Sequence, residues 1–192
     1  MDAVIDAQIP LRPPYGIALN RGGAMLDRRS EGHLAAPAFQ ALYSTLISHY
    51  MRPISRLLFP EVMGYDAQSF GFSIRYEPST DAALRAHTDA SSVTLNINMN
   101  RPEETYDGSQ VDFWDRGSRT VTRLVFEPGV AAIHRGPVPH ATHPITAGSR
   151  SNLVLWLYGD AGRMPHSAGG APRSAHERWQ PSPEPTGTFA PF

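Results

Sequence analysis

Residues Leu84 to Asn100 read LRAHTDASSVTLNINMN. One residue, Thr88, separates His87 from Asp89, and a run follows in which apolar Leu95, Ile97 and Met99 alternate with polar Thr94, Asn96 and Asn98. A period of two is the pattern of a β-strand with one apolar and one polar face. Amide groups are costly to bury in an apolar core, so this polar face belongs either in a wet cavity or, on an edge strand, in solvent. The His-x-Asp pair at the mouth of the strand favours the cavity. The apolar face then needs a covering layer.

Outward from this strand the chain supplies that layer and further strands. From Pro37, the residues Phe39, Leu42, Tyr43, Leu46, Ile47 and Tyr50 recur at three and four, which predicts an amphipathic helix. Leu95, Ile97 and Met99 are expected to pack on Phe39, Leu42 and Leu46. Pro53 is expected to interrupt the helix, with a second short helical piece ending at Pro60. Period-two runs then follow at 69–77, 92–99, 109–115, 119–127, 129–135 and 151–159, bounded by Gly, Pro, Asp and Asn. Short strands without intervening helices predict a mainly β, antiparallel sandwich or barrel with an N-terminal helical layer. The expected organisation is an irregular segment 1–36, one domain over 37–160 with helices in 37–60 and strands in 69–159, and a Pro/Gly/Ser-rich tail 161–192. There is no internal repeat.

Composition narrows the chemistry. A chain of 192 residues can bury one sizeable core. The net charge of −1 gives no basic field for collecting phosphate backbone, so nucleic acid is not the expected partner. All 17 basic residues are Arg, which leaves guanidinium or backbone to hold any anion and excludes Schiff-base chemistry. The absence of Cys removes thiolate nucleophiles, disulfides and zinc-thiolate sites. With no leader-like start and no run long enough to span a bilayer, the expected compartment is the cytoplasm.

Among the metal-ligating groups near strands are His87, Asp89, His140 and His143, with His134 close by. Two imidazoles and one carboxylate on one side of a metal leave the opposite positions open, as in the facial triad of non-haem Fe(II) oxygenases. Arg150 opens the run SNLVLWLYG ten residues after His140, and its planar fork suits a carboxylate.

The combination of His87-x-Asp89, GSQVDF and His140 with Arg150 ten residues on resembles the 2-oxoglutarate and Fe(II)-dependent dioxygenase superfamily, over about Leu11 to Gly159. HTDASSVTLNINMN resembles the procollagen lysyl hydroxylases of the prolyl and lysyl hydroxylase branch. RPISRLLFPEV and GSRSNLVLWL resemble intracellular 2-oxoglutarate oxygenase-domain proteins of plants and animals. The resemblance implies a double-stranded β-helix, or jelly roll. It implies Fe(II) held by His87, Asp89 and His140, 2-oxoglutarate anchored by Arg150, dioxygen as oxidant and ascorbate as reductant. The family spacing makes His140 rather than His143 the third ligand. Tyr76 matches a tyrosine near the co-substrate, whereas His134 is expected to be hydrogen-bonded beside the site. Asn96 and Asn98 are candidate contacts to co-substrate, substrate or ordered water. Two positions depart from the pattern: Ser109 stands at a usual glycine, and Asn152 at a usual Ser or Thr. The implied reaction is hydroxylation of an amino acid, peptidyl residue or small metabolite, since Asp89 occupies the place a halogenating site leaves vacant. A cupin-like enzyme without a keto acid would not need Arg150, and a non-catalytic jelly-roll module would not need the triad.

Overall fold

The computed structural model describes residues 24–25, 39–66, 69–79, 82–89, 91–115 and 117–157. Most of the predicted irregular segment 1–36 and all of the predicted tail 161–192 lie outside the described residues. Among the described residues no helix is long and apolar enough to cross a membrane.

The helical layer begins with α1, Gln40–Thr45, passes through a π-helical turn, Leu46–Met51, and continues as α2, Arg52–Leu58. Phe39, Tyr43, Ile47, Met51 and Ser55 are its buried residues. A strict spacing of four overruns the 3.6-residue α-helical turn by about 0.4 residue each time. The wider π turn absorbs part of that excess and keeps the stripe on one side. It also corrects the expectation at Pro53, which sits in the first turn of α2 without breaking the run: the Arg52 N–H already bonds back to Ile47, five residues away. A second correction concerns the helix face, because Leu42 and Tyr50 are exposed. Leu46 does reach the core, beside Leu95, Ile97 and Met99.

Eleven described strands form the β structure: β1 Ala24–Met25, β2 Ser69–Tyr76, β3 Leu84–His87, β4 Val93–Asn98, β5 Tyr106–Gly108, β6 Val111–Asp115, β7 Thr120–Leu124, β8 Ala131–Arg135, β9 His140–Thr142, β10 Ile145–Gly148 and β11 Arg150–Leu157. The major sheet has the order β1-β2-β11-β4-β8, the minor sheet β3-β9-β6-β7, and β5 pairs with β10. All pairings are antiparallel. This is the expected jelly roll. The strands β1, β3, β5, β9 and β10 were not predicted, β1 standing inside the segment 1–36 expected to be irregular, because runs of two to four residues such as HAT carry no alternation to detect.

Register sorts the major sheet into two faces. Val93 of β4 and Leu153, Leu155 and Leu157 of β11 join Phe39, Tyr43, Ile47 and Met51 in one apolar cluster under the helix. Each fully buried Leu here contributes about 1.5–3 kcal/mol relative to exposure. On β2 the same face carries Gly71, where a Cβ would lie 2.5 Å from the Tyr43 ring. The opposite face is built in rows. Phe72, Val154 and Asn96 are cross-strand partners, and Trp156 aligns with Phe70 and Thr94, which in turn pairs with His134. These rows face the minor sheet across a cavity.

Candidate metal centre

In the minor sheet His87 pairs with His140, and His140 with Phe113. Directly opposed residues of an antiparallel pair share a face, so the two imidazoles meet with ring centroids 4.3 Å apart. Asp89 follows the end of β3, its backbone N–H donating to the Gly136 carbonyl at 2.9 Å. All three side chains are buried.

The imidazole protons are already spent. His87 Nδ1 lies 2.7 Å from the Arg85 carbonyl, and His140 Nδ1 3.0 Å from the Val138 carbonyl. A carbonyl only accepts, so each Nδ1 carries the hydrogen and each Nε2 presents a lone pair. These Nε2 atoms stand 3.6 and 3.7 Å from Asp89 Oδ1. One donor atom from each residue lies within 4.8 Å of the others. Three acceptors converging with no hydrogen among them repel one another unless a cation sits between them, and this N,N,O set suits iron(II). Burial alone would raise the Asp89 carboxyl, but the charge that the facing imidazoles, His140 foremost, acquire once acid protonates them holds it well below the usual range. Burial pushes His140 down to about 4 against the attraction of Asp89, which keeps its lone pair available near neutrality.

His143 is elsewhere. Three residues is an odd step along an extended chain, so it leaves the opposite face from His140. There His143 Nε2 meets Asp112 Oδ2 at 2.8 Å, and Arg123 grips the same carboxylate through Nε and Nη2 at 2.7 and 2.8 Å. His134 sits beside the centre: its Nδ1 is 2.9 Å from the Arg135 carbonyl, and its Nε2 3.6 Å from Asp89 Oδ2.

Of the expected co-substrate contacts, Tyr76 and Asn96 line the cavity. Arg150 and Asn98 are not among its lining residues. The Asn98 amide is committed to structure, its Nδ2 donating to the Phe126 carbonyl at 2.8 Å and its Oδ1 accepting from the Asn100 N–H at 2.9 Å. Arg150 pairs with Tyr76 across the strands and stacks its guanidinium 4.7 Å from that ring and 5.3 Å from Phe126. One Nη donates to the Ser109 carbonyl at 2.6 Å, while the buried Nε has no partner. Among the described residues no carboxylate lies within ion-pair distance of this guanidinium. A buried cation without a counter-charge is costly, so the Arg150 guanidinium stacked on Tyr76 is suited to an anion. Ser109 adopts φ +59°, the left-handed conformation that a glycine takes freely. Asn152 donates to Asn96 at 2.6 Å, and its Oδ1 is buried without a partner.

Several contributors were not singled out in the sequence. Phe113 stacks on His140 at 5.4 Å and meets His134 edge-on at 5.1 Å. Phe72, Val154 and Trp156 wall the cavity. Their signal was present: Val154 and Trp156 follow Arg150 by even steps, hence on its face.

No family model matches the chain. It is 32% identical over 149 residues to 2-oxoglutarate and iron-dependent oxygenase domain-containing protein 2 of Xenopus tropicalis, covering 74% of this chain and 38% of that protein. The chain resembles the 2-oxoglutarate and iron-dependent oxygenases. It is also 28% identical to a multifunctional procollagen lysine hydroxylase and glycosyltransferase of Rattus norvegicus, over 65% of this chain. The oxygenase-like chain thus spans 38% of the length of the frog protein and 17% of the rat protein. In fold it is similar to an oxidoreductase of the 2OG-Fe(II) oxygenase family from Burkholderia pseudomallei, with TM-score 0.53 and 16% identity over 71% of this chain and 64% of that one.

Proposed function

We propose that this chain is an Fe(II)- and 2-oxoglutarate-dependent oxygenase that hydroxylates an unactivated C–H bond of an amino acid, peptidyl residue or small metabolite. The observation that carries the reading is the convergence of two imidazole lone pairs and one carboxylate oxygen on a buried point. His87, Asp89 and His140 hold the iron. When bound, iron with the keto acid and dioxygen supplies an oxidation in which 2-oxoglutarate leaves as succinate and CO2 and the second oxygen atom enters the substrate as hydroxyl. Arg150 binds the distal carboxylate of 2-oxoglutarate, and Tyr76, between Arg150 and the cavity, orients the chain of the co-substrate. Phe72, Phe113, Val154 and Trp156 exclude water from the reacting volume.

The test is succinate formation from 2-oxoglutarate by the iron-loaded protein, screened for stimulation by amino acids, peptides and small metabolites. Arg150→Ala should raise the apparent constant for 2-oxoglutarate roughly thirty-fold to several thousand-fold, the equivalent of about 2–5 kcal/mol for a desolvated ion pair losing one partner. Arg150→Lys should recover only part of this, because an ammonium cannot reproduce the fork. Equal constants in wild type and Arg150→Ala would displace the keto acid from this site in favour of a cupin-like reaction.

A further inference from the structure

The two oxygens of Asp89 have different surroundings. Oδ1 faces His87 and His140 at 3.6 and 3.7 Å. Oδ2 accepts a hydrogen bond from the Thr94 hydroxyl at 2.5 Å. The Thr94 oxygen lies in turn 2.8 Å from the Ser91 hydroxyl. A hydroxyl has a single proton to give, and Thr94 spends it on Asp89, so Ser91 is the donor to Thr94. Ser91 and Thr94 are each 1% exposed, which shields the chain of bonds from competing water. The backbone fixes its far end: Gly136 N–H donates to the Ser92 carbonyl at 3.0 Å, and a Cβ at Gly136 would run into the carbonyl and hydroxyl of Ser91. The near end is set by register, since Thr94 lies on β4 between Trp156 and His134.

We infer that Ser91 and Thr94 form a hydroxyl relay that fixes Asp89 through Oδ2 and presents Oδ1 alone to the metal. The inference rests on the metal reading proposed above. Its consequence is a coordination count. At a bound six-coordinate metal, two imidazoles and one carboxylate oxygen would leave three positions, enough for a two-toothed keto acid and dioxygen together. A carboxylate gripping through both oxygens would leave two. Ser91 and Thr94 are accordingly positioning residues, acting through Asp89.

The experiment titrates Co(II) into the full chain and follows its visible absorption, whose intensity reports coordination number. Thr94→Val, which keeps shape and removes the hydroxyl, should weaken Co(II) binding by roughly 10–100-fold, the usual loss for a group that orients a ligand, and should change the band intensity. Thr94→Ser, which restores the hydroxyl, should return both affinity and spectrum towards wild type. Ser91→Ala should cost less, and should add nothing in the Thr94→Val background, because both act on one bond. Wild-type binding and spectrum in Thr94→Val, or additive losses in the double variant, would overturn the relay. Should Thr94→Val fail to fold, as judged by metal-free melting, Ser91→Ala decides alone: unchanged Co(II) binding and spectrum overturn the inference. A wild type that binds neither Co(II) nor Fe(II) removes the metal reading and the relay with it, whereas a wild type that binds beside an unaffected Thr94→Val removes only the relay.

Discussion

Strand β11 runs for eight buried residues between β2 and β4, whereas β9, which carries His140, runs for three between β3 and β6. The long strand packs Leu153, Leu155 and Leu157 against the helix and aligns both its neighbours over most of their length. The short one adds nothing to the apolar cluster under the helix and derives its place from the ladders on either side. Stability and chemistry are therefore separated. The major sheet supplies a rigid wall, and the minor sheet holds two of the three metal-ligating groups on pieces too short to be stable alone. Thr94 connects the two, because it belongs to the wall and bonds to Asp89.

This division predicts which substitutions destroy the site and which destroy the fold. The largest effect is expected from His87→Ala, Asp89→Ala and His140→Ala, each of which should abolish Fe(II) binding and turnover, while His143→Ala keeps both. Equilibrium titration with Fe(II) under anaerobic conditions separates them, and loss of iron in His143→Ala with retention in His140→Ala would reverse the assignment. Leu155→Ala comes next, and acts the other way. It should cost about 2–5 kcal/mol of stability, as truncation of a fully buried Leu does, and lower the urea midpoint with little effect on metal affinity in the protein that remains folded.

Smaller effects sharpen the contrast within the minor sheet. Ser109 holds a left-handed conformation and a buried hydroxyl without a partner, so Ser109→Gly should stabilise the protein by about 1 kcal/mol, read as a higher melting temperature. A fall in melting temperature would mean that the hydroxyl has a role which backbone strain conceals. Asp112 gives the smallest effect. Its hydrogen bond with Arg123, then that with His143, holds its carboxyl well below the usual range. A depressed carboxylate contributes stability that is present above its unfolded value, near pH 4, and is lost as pH falls towards the folded value. Asp112→Asn should therefore flatten the acid side of the stability profile below about pH 4, and a profile unchanged in this variant would remove the pair from the energetics.

The sequence made the major sheet legible because its strands have a period. SFGFSIRY alternates long enough for the pattern to exceed chance, RSNLVLWL carries the continuous apolar run of a strand buried on both faces, and LNINM displays both faces at once. The cluster of His87, Asp89 and His140 was legible through spacing and resemblance rather than through strand patterns. The helix was read less well. A stripe repeating at four fits an α-helix only for a turn or two, and without the π turn the pattern placed Leu42 and Tyr50 on the wrong side.

By itself the sequence determined which chemistry was available: imidazole, carboxylate and guanidinium, with neither thiol nor amine side chain, on a chain whose strands alternate. The tertiary structure decided which atoms meet. Only register across β3, β9 and β6 brings His140 between His87 and Phe113, and only the facing of two sheets sets Thr94 against Asp89. It also decided that Asn98, alternating in phase with Asn96, ties down Phe126 instead of lining the cavity. The reason is that alternation specifies the face of a strand, whereas a contact requires a partner from another strand, and no local pattern encodes where along the ladder that partner will stand.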